Sequence, residues 1–593
     1  MENINFETPE EIKPRPGIKP GERREEMVSL HGPNLRYLDK AFSILRAPER
    51  TELGEEESWL HLSENVKPYE SGLEFTNNIR DVVFEFIAKK IPNLKSGLPS
   101  LGELGEKELL NSLTHNWFEE VGEEVQGSRK EILLATMAHV VKRIENRVTR
   151  QILSKGSEED LEKLGLNSAT RDLLNEVLEA SIKADPMYIR FMAYSQLGGK
   201  PSEEAGPAAL HVPGSDTLRT IPELFPHESQ FLAKRFSGLA ERGGDWVHFP
   251  GGETFQKYLE VLGNFYAEKD PERATEIQKE VENLYSAVLA SDFPIIITPA
   301  TEGYYKEPYY DPELKISLRT PDAKKEETGW RNMRDTLAES LDVLDAQQFV
   351  DSVKGKEPKS VIVLGGFGVN ITFNAVAQEK PDILIFLNEQ IRAYDKEFPG
   401  AAKKWVANTT EIFGEELTED KQKFLESISR DDTVLHELMH GVFPDDSPEA
   451  KRFGGRPYTI IDEVKAEICY RPLVPEVIKK DGLQGTKEEW AAGMLTASLQ
   501  ALRDSPSGNP YYHAAVYALN DLFQSGAAVV EGENVRILDF EKYYAAQKKA
   551  AEELLDLYRD PKMTERKAAK WIKTRCVPNK EVVEVLKAVI KKD

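Results

Sequence analysis

Residues 436–440 read His-Glu-Leu-Met-His inside the run DDTVLHELMHGVF, residues 431–443. In a helix, residues four apart share a face, so both imidazoles can address one point. Val434, Leu435, Leu438 and Met439 predict that most of this helix is buried. Asp431, Asp432 and Thr433 suit its N-terminus, as capping or first-turn residues. Two imidazoles on a buried helix demand a second element that brings acceptors or further ligands to the same place.

RPYTIIDEVKAEICY, residues 456–470, is the candidate for that element. Its pattern is helical, and Ile460, Ile461, Val464, Ala466, Ile468 and Cys469 predict an internal position. Glu463 can complete a ligand set of two histidines and one glutamate with His436 and His440, leaving one position open. Asp462 and Glu467 suit the far ring nitrogens of the histidines. Internal carboxylates packed this densely repel one another without a cation. One Zn2+ per chain is expected, since zinc favours this donor set. Zinc activates water and polarises a carbonyl, and Glu437, next to a ligand but not one, suits the general base. The chemistry predicted is amide hydrolysis, with peptides as substrates.

The rest of the chain excludes other classes. Among 593 residues, 102 are acidic and 77 are Lys or Arg, a formal net charge of −25. That balance disfavours nucleic acid and anionic membrane surfaces, and no basic stripe offsets it. Runs such as VIVLGG and ILIFL are too short to span a bilayer. The segment MENINFETPEEIKPRPGIKPGERREE has no apolar core of a secretory leader, and the 2 cysteines give no disulfide framework. Cytoplasmic residence is expected; no pattern specifies an oligomeric state.

Periodicity predicts a mainly α chain with a minority β component. Residues 1–28, rich in Pro and charge, read as an extended arm; 29–325 as a mostly helical, mixed lobe carrying substrate-binding elements; 326–593 as a mainly helical, zinc-binding lobe. Helices are predicted over 130–153, 169–184 and in two pieces of 253–291. FPIIITP (293–299), KSVIVLGG (359–366) and PDILIFL (381–387) are predicted strands. YDPELKISLRTPDAKKEET reads as polar and irregular, a candidate boundary between lobes.

HELMH followed by DEVKAE resembles the dipeptidyl peptidase III family of zinc metallopeptidases, whose motifs are His-Glu-x-x-Gly-His and Glu-Glu-Cys-Arg-Ala-Glu. This chain departs by having the pentapeptide, with Gly441 after it; the family includes such members. The resemblance gives His436, His440 and Glu463 the ligand roles, Glu437 the base and Glu467 the support of a histidine. It matches EGYYKEPYYDP (302–312) to a segment whose tyrosine donates to an oxyanion, making Tyr305 the candidate, with Tyr304 and Tyr309 as rivals. It matches GGFGVNITFN (365–374) to a peptide-binding stretch, nominating Asn370 and Asn374, and it nominates His513 as a residue stabilising the transition state. Glu302 and Glu307 are candidates for the substrate's ammonium. The family further implies two lobes about a cleft, a small β-barrel in the mixed lobe, and release of dipeptides from free N-termini. The alternatives are another gluzincin-type aminopeptidase or oligopeptidase, or a non-catalytic zinc-containing peptide-binding protein.

Overall fold

The structure, a computed structural model, describes residues 59–90, 128–184, 187 and, with short internal breaks, 200–587. Most of these residues are helical, and the helices follow the apolar spacing of the sequence. In chain order the principal ones are α1 (Gly72–Lys90), α2 (Ser128–Lys155), α3 (Ser168–Ala184), α4 (Pro226–Arg242), α5 (Gly252–Phe265) and α6 (Pro271–Ala290). They continue with α7 (Pro321–Ala338), α8 (Glu419–Met439), α9 (Gly455–Cys469), α10 (Lys487–Asp504), α11 (Pro510–Gln524), α12 (Phe540–Arg559) and α13 (Glu565–Arg575). Local chemistry sets many of their starts. Asp270 caps α6 by accepting from the Arg273 N–H, with Pro271 at the first position, and Thr486 caps α10 in a reciprocal box with Glu489.

The main sheet has five strands: β1 (Ile295–Ile297), β2 (Leu314–Leu318), β3 (Glu357–Phe367), β4 (Ala375–Ala377) and β5 (Asp382–Phe386). Their order is β1-β2-β3-β5-β4; β3 and β5 run parallel, and every other neighbouring pair is antiparallel. The expected small β-barrel is overturned. Among the described residues no sheet closes on itself; β1 and β4 are distinct edges of an open sheet, each only three residues long. The remaining strands form one three-stranded sheet and two separate hairpins. Such short edges have too few backbone groups to pair across and close a barrel.

Two hydrophobic cores meet at this sheet. Leu384 and Phe386 of β5 join a core built from α1 to α6, whereas Ile383 and Ile385 join one built from α7 to α13. The period-2 alternation of a strand thus serves opposite cores with successive residues. A parallel pair buried on both faces explains why PDILIFL is almost continuously apolar. α2 and α3 pack on β3 from the first core, and α7 packs on it from the second. α8 lies against β4 and β5, which sets the helix carrying the two histidines on a rigid floor.

The segment read as polar and irregular is regular. It contains β2, whose five residues are all buried, and the start of α7, capped by Thr320 accepting from the Ala323 N–H. Its charges misled: Lys315 is fully buried with its ammonium 5.5 Å from the Phe386 ring centroid, and Arg319 pairs with Glu327 inside the protein. No described helix is long and apolar enough to cross a membrane.

Candidate metal centre

The two histidines sit at the end of α8, not near its beginning. The helix starts at Glu419, capped by Thr418, and His440 occupies its C-terminal cap. Asp431, Asp432 and Thr433 are therefore interior helical residues, which corrects their expected role as caps. Tertiary partners hold the two acids there. Trp330 donates its indole N–H to Asp431 at 3.1 Å, and the Tyr470 hydroxyl donates to Asp432 at 2.5 Å. Burial pushes the Asp431 pKa up to about 6 and that of Asp432 to about 7, the latter helped by the nearby Glu467 charge. Placement at a helix C-terminus suits a cation, because the partial negative charge of the last carbonyls lies there.

α9 crosses α8 and delivers the carboxylates. His436 Nε2 lies 3.2 Å from Glu463 Oε2, and His440 Nε2 lies 4.0 Å from the same oxygen. One ligand atom from each residue falls within 4.8 Å of the other two. Zinc bonds of roughly 2.0–2.1 Å in a tetrahedron would set ligand atoms about 3.3 Å apart, so the three need little movement to share an ion. His436 Nε2 and Glu463 Oε2 are also buried without a hydrogen-bond partner, despite their proximity. Their approach lacks hydrogen-bond geometry, and an ion between them would satisfy both. The donor set fits zinc.

The far nitrogens are held as expected. His436 Nδ1 lies 3.2 Å from Glu467, and His440 Nδ1 lies 2.7 Å from Asp462. Donation from each Nδ1–H leaves each Nε2 lone pair facing Glu463. The carboxylates are themselves anchored: Glu467 by the Arg471 guanidinium, which also donates to Ser498, and Asp462 by the fully buried Lys465. The Lys465 ammonium also donates to the Val442 carbonyl at 2.6 Å, just beyond the end of α8. Lys465 thus ties α9 to the turn that ends the histidine helix.

The charges are lopsided. Burial alone would lower the His436 pKa, but Glu463 and Glu467 override it and hold the imidazole well above its ordinary range. Burial would likewise lower that of His440, but Asp462 raises it. For Asp462, burial opposes ionisation, yet Lys465 and His440 keep its carboxyl well below the usual range. Burial raises the Glu437 pKa, partly countered by the histidines, and its side chain is almost fully buried beside them.

The structure brings together His436, His440, Glu463, Glu437, Asp462 and Glu467. Tyr305, Asn370, Asn374 and Glu307 lie outside the described residues. Glu302, Tyr304 and Tyr309 belong to a hairpin in which Tyr304 pairs with Tyr309 and Glu302 with Asp311. His513, in the first turn of α11, packs near Tyr512 and reaches the backbone of Cys576; burial lowers its pKa, an effect that contact opposes. The sequence reading missed Tyr511, whose ring centroid is 5.7 Å from that of His436. Helical phase separates it from His513, two residues on, by about 200°. The only signal for it was membership of a helix downstream of the ligand segment.

The arrangement is a group of two histidines and one carboxylate that could hold a metal ion, with a further glutamate beside it. No family model matches the chain, and no curated protein matches it. The similar solved structures include two dipeptidyl peptidases. The structure of DPP III from Caldithrix abyssi has 14% identity and a TM-score of 0.49, covering 79% of this chain and 94% of that one. That of dipeptidyl-peptidase III from Corallococcus sp. strain EGB has 15% identity and a TM-score of 0.48, covering 75% and 90%.

Proposed function

We propose that this protein is a zinc-dependent peptidase that hydrolyses peptide amide bonds, releasing dipeptides from free N-termini. The observation that carries the hydrolytic reading is the convergence of His436, His440 and Glu463 with the buried, non-ligating Glu437 beside them. A purely structural zinc site has no use for that fourth side chain. The dipeptide register is supported by the motif resemblance of HELMH and DEVKAE.

When bound, zinc supplies Lewis acidity, polarising the scissile carbonyl and acidifying a water molecule. Glu437 accepts the proton released by that water and returns it to the departing amine. Its burial beside both histidines places it within reach of that proton. Asp462 and Glu467 fix ring orientation and tautomer. Val434, Leu435, Leu438 and Met439, all buried, back the site with apolar surface and limit access by bulk water.

The test is digestion of matched peptides with free and N-acetylated ends, with and without chelator, read by product mass. Intact dipeptides from free ends alone, lost on chelation, are expected. Cleavage indifferent to acetylation would replace the exopeptidase register with an oligopeptidase, and single-residue release would indicate an aminopeptidase. Zinc-loaded protein that cleaves nothing would overturn the hydrolytic reading.

A further inference from the structure

The turn that ends the histidine helix is strained. His440 caps α8, and Phe443 just beyond it has a φ of 52°, a left-handed conformation that a bulky residue resists. Two neighbours hold the turn. The fully inaccessible Lys465 ammonium donates to the Val442 carbonyl at 2.6 Å and the Phe443 carbonyl at 3.4 Å, and its remaining hydrogen goes to Asp462 Oδ1 at 2.5 Å. Tyr558, near the end of α12, stacks its ring on that of Phe443 at 4.9 Å and 18°. The same ring lies 5.2 Å from the Lys465 ammonium, and its hydroxyl donates to Asp462 Oδ1 at 3.3 Å. Tyr558 is fully inaccessible and its backbone is fixed: Arg452 donates to its carbonyl, and Arg559, next in the chain, donates to the carbonyls of Leu344 and Asp345. One side chain thus touches the strained turn, the ammonium that bonds it, and the carboxylate that holds His440.

From this convergence we infer that Tyr558 is a positioning residue for the metal centre: through Asp462 and the turn at Phe443, it holds His440 with Nε2 toward the point shared with His436 and Glu463. The inference rests on the zinc reading of that centre and not on the peptide register. Two donors on Asp462 Oδ1 fix the plane of the carboxylate and leave Oδ2 for His440 Nδ1, 2.7 Å away. Burial and the Asp462 charge raise the Tyr558 pKa, so the hydroxyl remains a donor near neutrality. The ring does the second half of the work. Covering Phe443 keeps the left-handed turn closed, and that turn sets where α8 stops and therefore where the His440 ring emerges. Loss of an outer hydrogen-bond partner costs about 10–100-fold in metal affinity, and Tyr558, acting one bond further out, belongs at the lower end.

The experiment compares full-length wild type with Tyr558→Phe, which keeps the ring and removes the hydroxyl, and with Tyr558→Leu, which removes both. Zinc affinity is measured by competition with a chromophoric chelator, and the visible absorption of the cobalt-substituted protein reports ligand geometry. Both are repeated for Tyr558→Phe in the Asp462→Asn background. Tyr558→Phe is expected to weaken zinc about tenfold and to change the cobalt spectrum. In the Asp462→Asn background it should add nothing, because a residue acting through Asp462 has no route left. Tyr558→Leu should weaken zinc further by releasing the turn; should that variant not fold, Tyr558→Phe carries the test alone. Unchanged zinc affinity and cobalt spectrum in Tyr558→Phe overturn the inference. So does an equal loss of affinity with and without Asp462, which marks core packing and not positioning. Wild-type protein that takes up neither zinc nor cobalt brings down the metal reading and this inference with it; tight wild-type zinc binding with an indifferent Tyr558→Phe removes the inference alone.

Discussion

One carboxylate of Asp462 holds both sides of the histidine turn: Oδ2 lies 2.7 Å from His440 Nδ1, and Oδ1 accepts from the Lys465 ammonium at 2.5 Å. Asp462→Asn keeps the shape but weakens the hold on the imidazole and leaves a buried ammonium facing an amide. Zinc affinity should fall about 10–100-fold, measured by competition with a chromophoric chelator. Glu467→Gln should act similarly through His436, since it removes the charge lying 3.2 Å from that ring. Unchanged affinity in both variants would show that the far nitrogens do not tune the ligands.

Glu437→Gln separates chemistry from metal binding. The side chain is buried and its charge interacts with both ligand histidines, yet it is not among the converging ligand atoms. Zinc content and thermal midpoint should stay close to the wild type while turnover falls by about 10²–10⁴-fold or more. Full turnover would remove Glu437 as the base.

Much of this centre was legible because helical spacing is local. His436 and His440 need only one turn of backbone to share a face, and Glu463 with Glu467 needs only another. The position of that turn within α8 was not legible. Asp431 and Asp432 look like caps until Trp330 and Tyr470, distant in sequence, supply partners that let acids sit in a helix interior. The same override hid β2, where Lys315 is buried beside Phe386. The barrel was an inference from resemblance and had no periodicity behind it; the strands themselves, at 293–299, 359–366 and 381–387, read correctly from their apolar runs and form an open sheet.

Acid and metal should oppose each other at the imidazoles. In metal-free protein the pKa values of His436 and His440 lie above the unfolded value of about 6.5. Their contribution to stability is therefore fully present below that value and is lost as pH rises through the folded pKa values. Zinc needs the neutral rings, so its contribution moves the other way. The difference in thermal midpoint between zinc-loaded and chelator-treated protein should widen on going from about pH 6 to about pH 8. At free zinc about 100 times its dissociation constant, the stabilisation should reach about 2.7 kcal/mol. A gap that is constant with pH, measured by calorimetric scans, would contradict this linkage.

Adjacent residues of β5 offer a test of how the two cores are joined. Leu384 is buried in the core of α1 to α6, and Ile383 in the core that holds the metal centre; both are fully inaccessible. Truncating either to alanine leaves a cavity in one core only and should cost about 2–5 kcal/mol. The sheet cannot survive with one face unpacked, because its parallel pair β3 and β5 relies on apolar cover from both sides. Ile383→Ala and Leu384→Ala should therefore each shift a single common unfolding transition in metal-free protein, followed by far-ultraviolet circular dichroism and by tryptophan fluorescence. Trp246 reports on the first core, and Trp330, Trp405 and Trp490 report on the second. If Leu384→Ala instead splits unfolding into two steps, with the second-core tryptophans unmoved, the sheet is a divider between independent units, not the element that couples them.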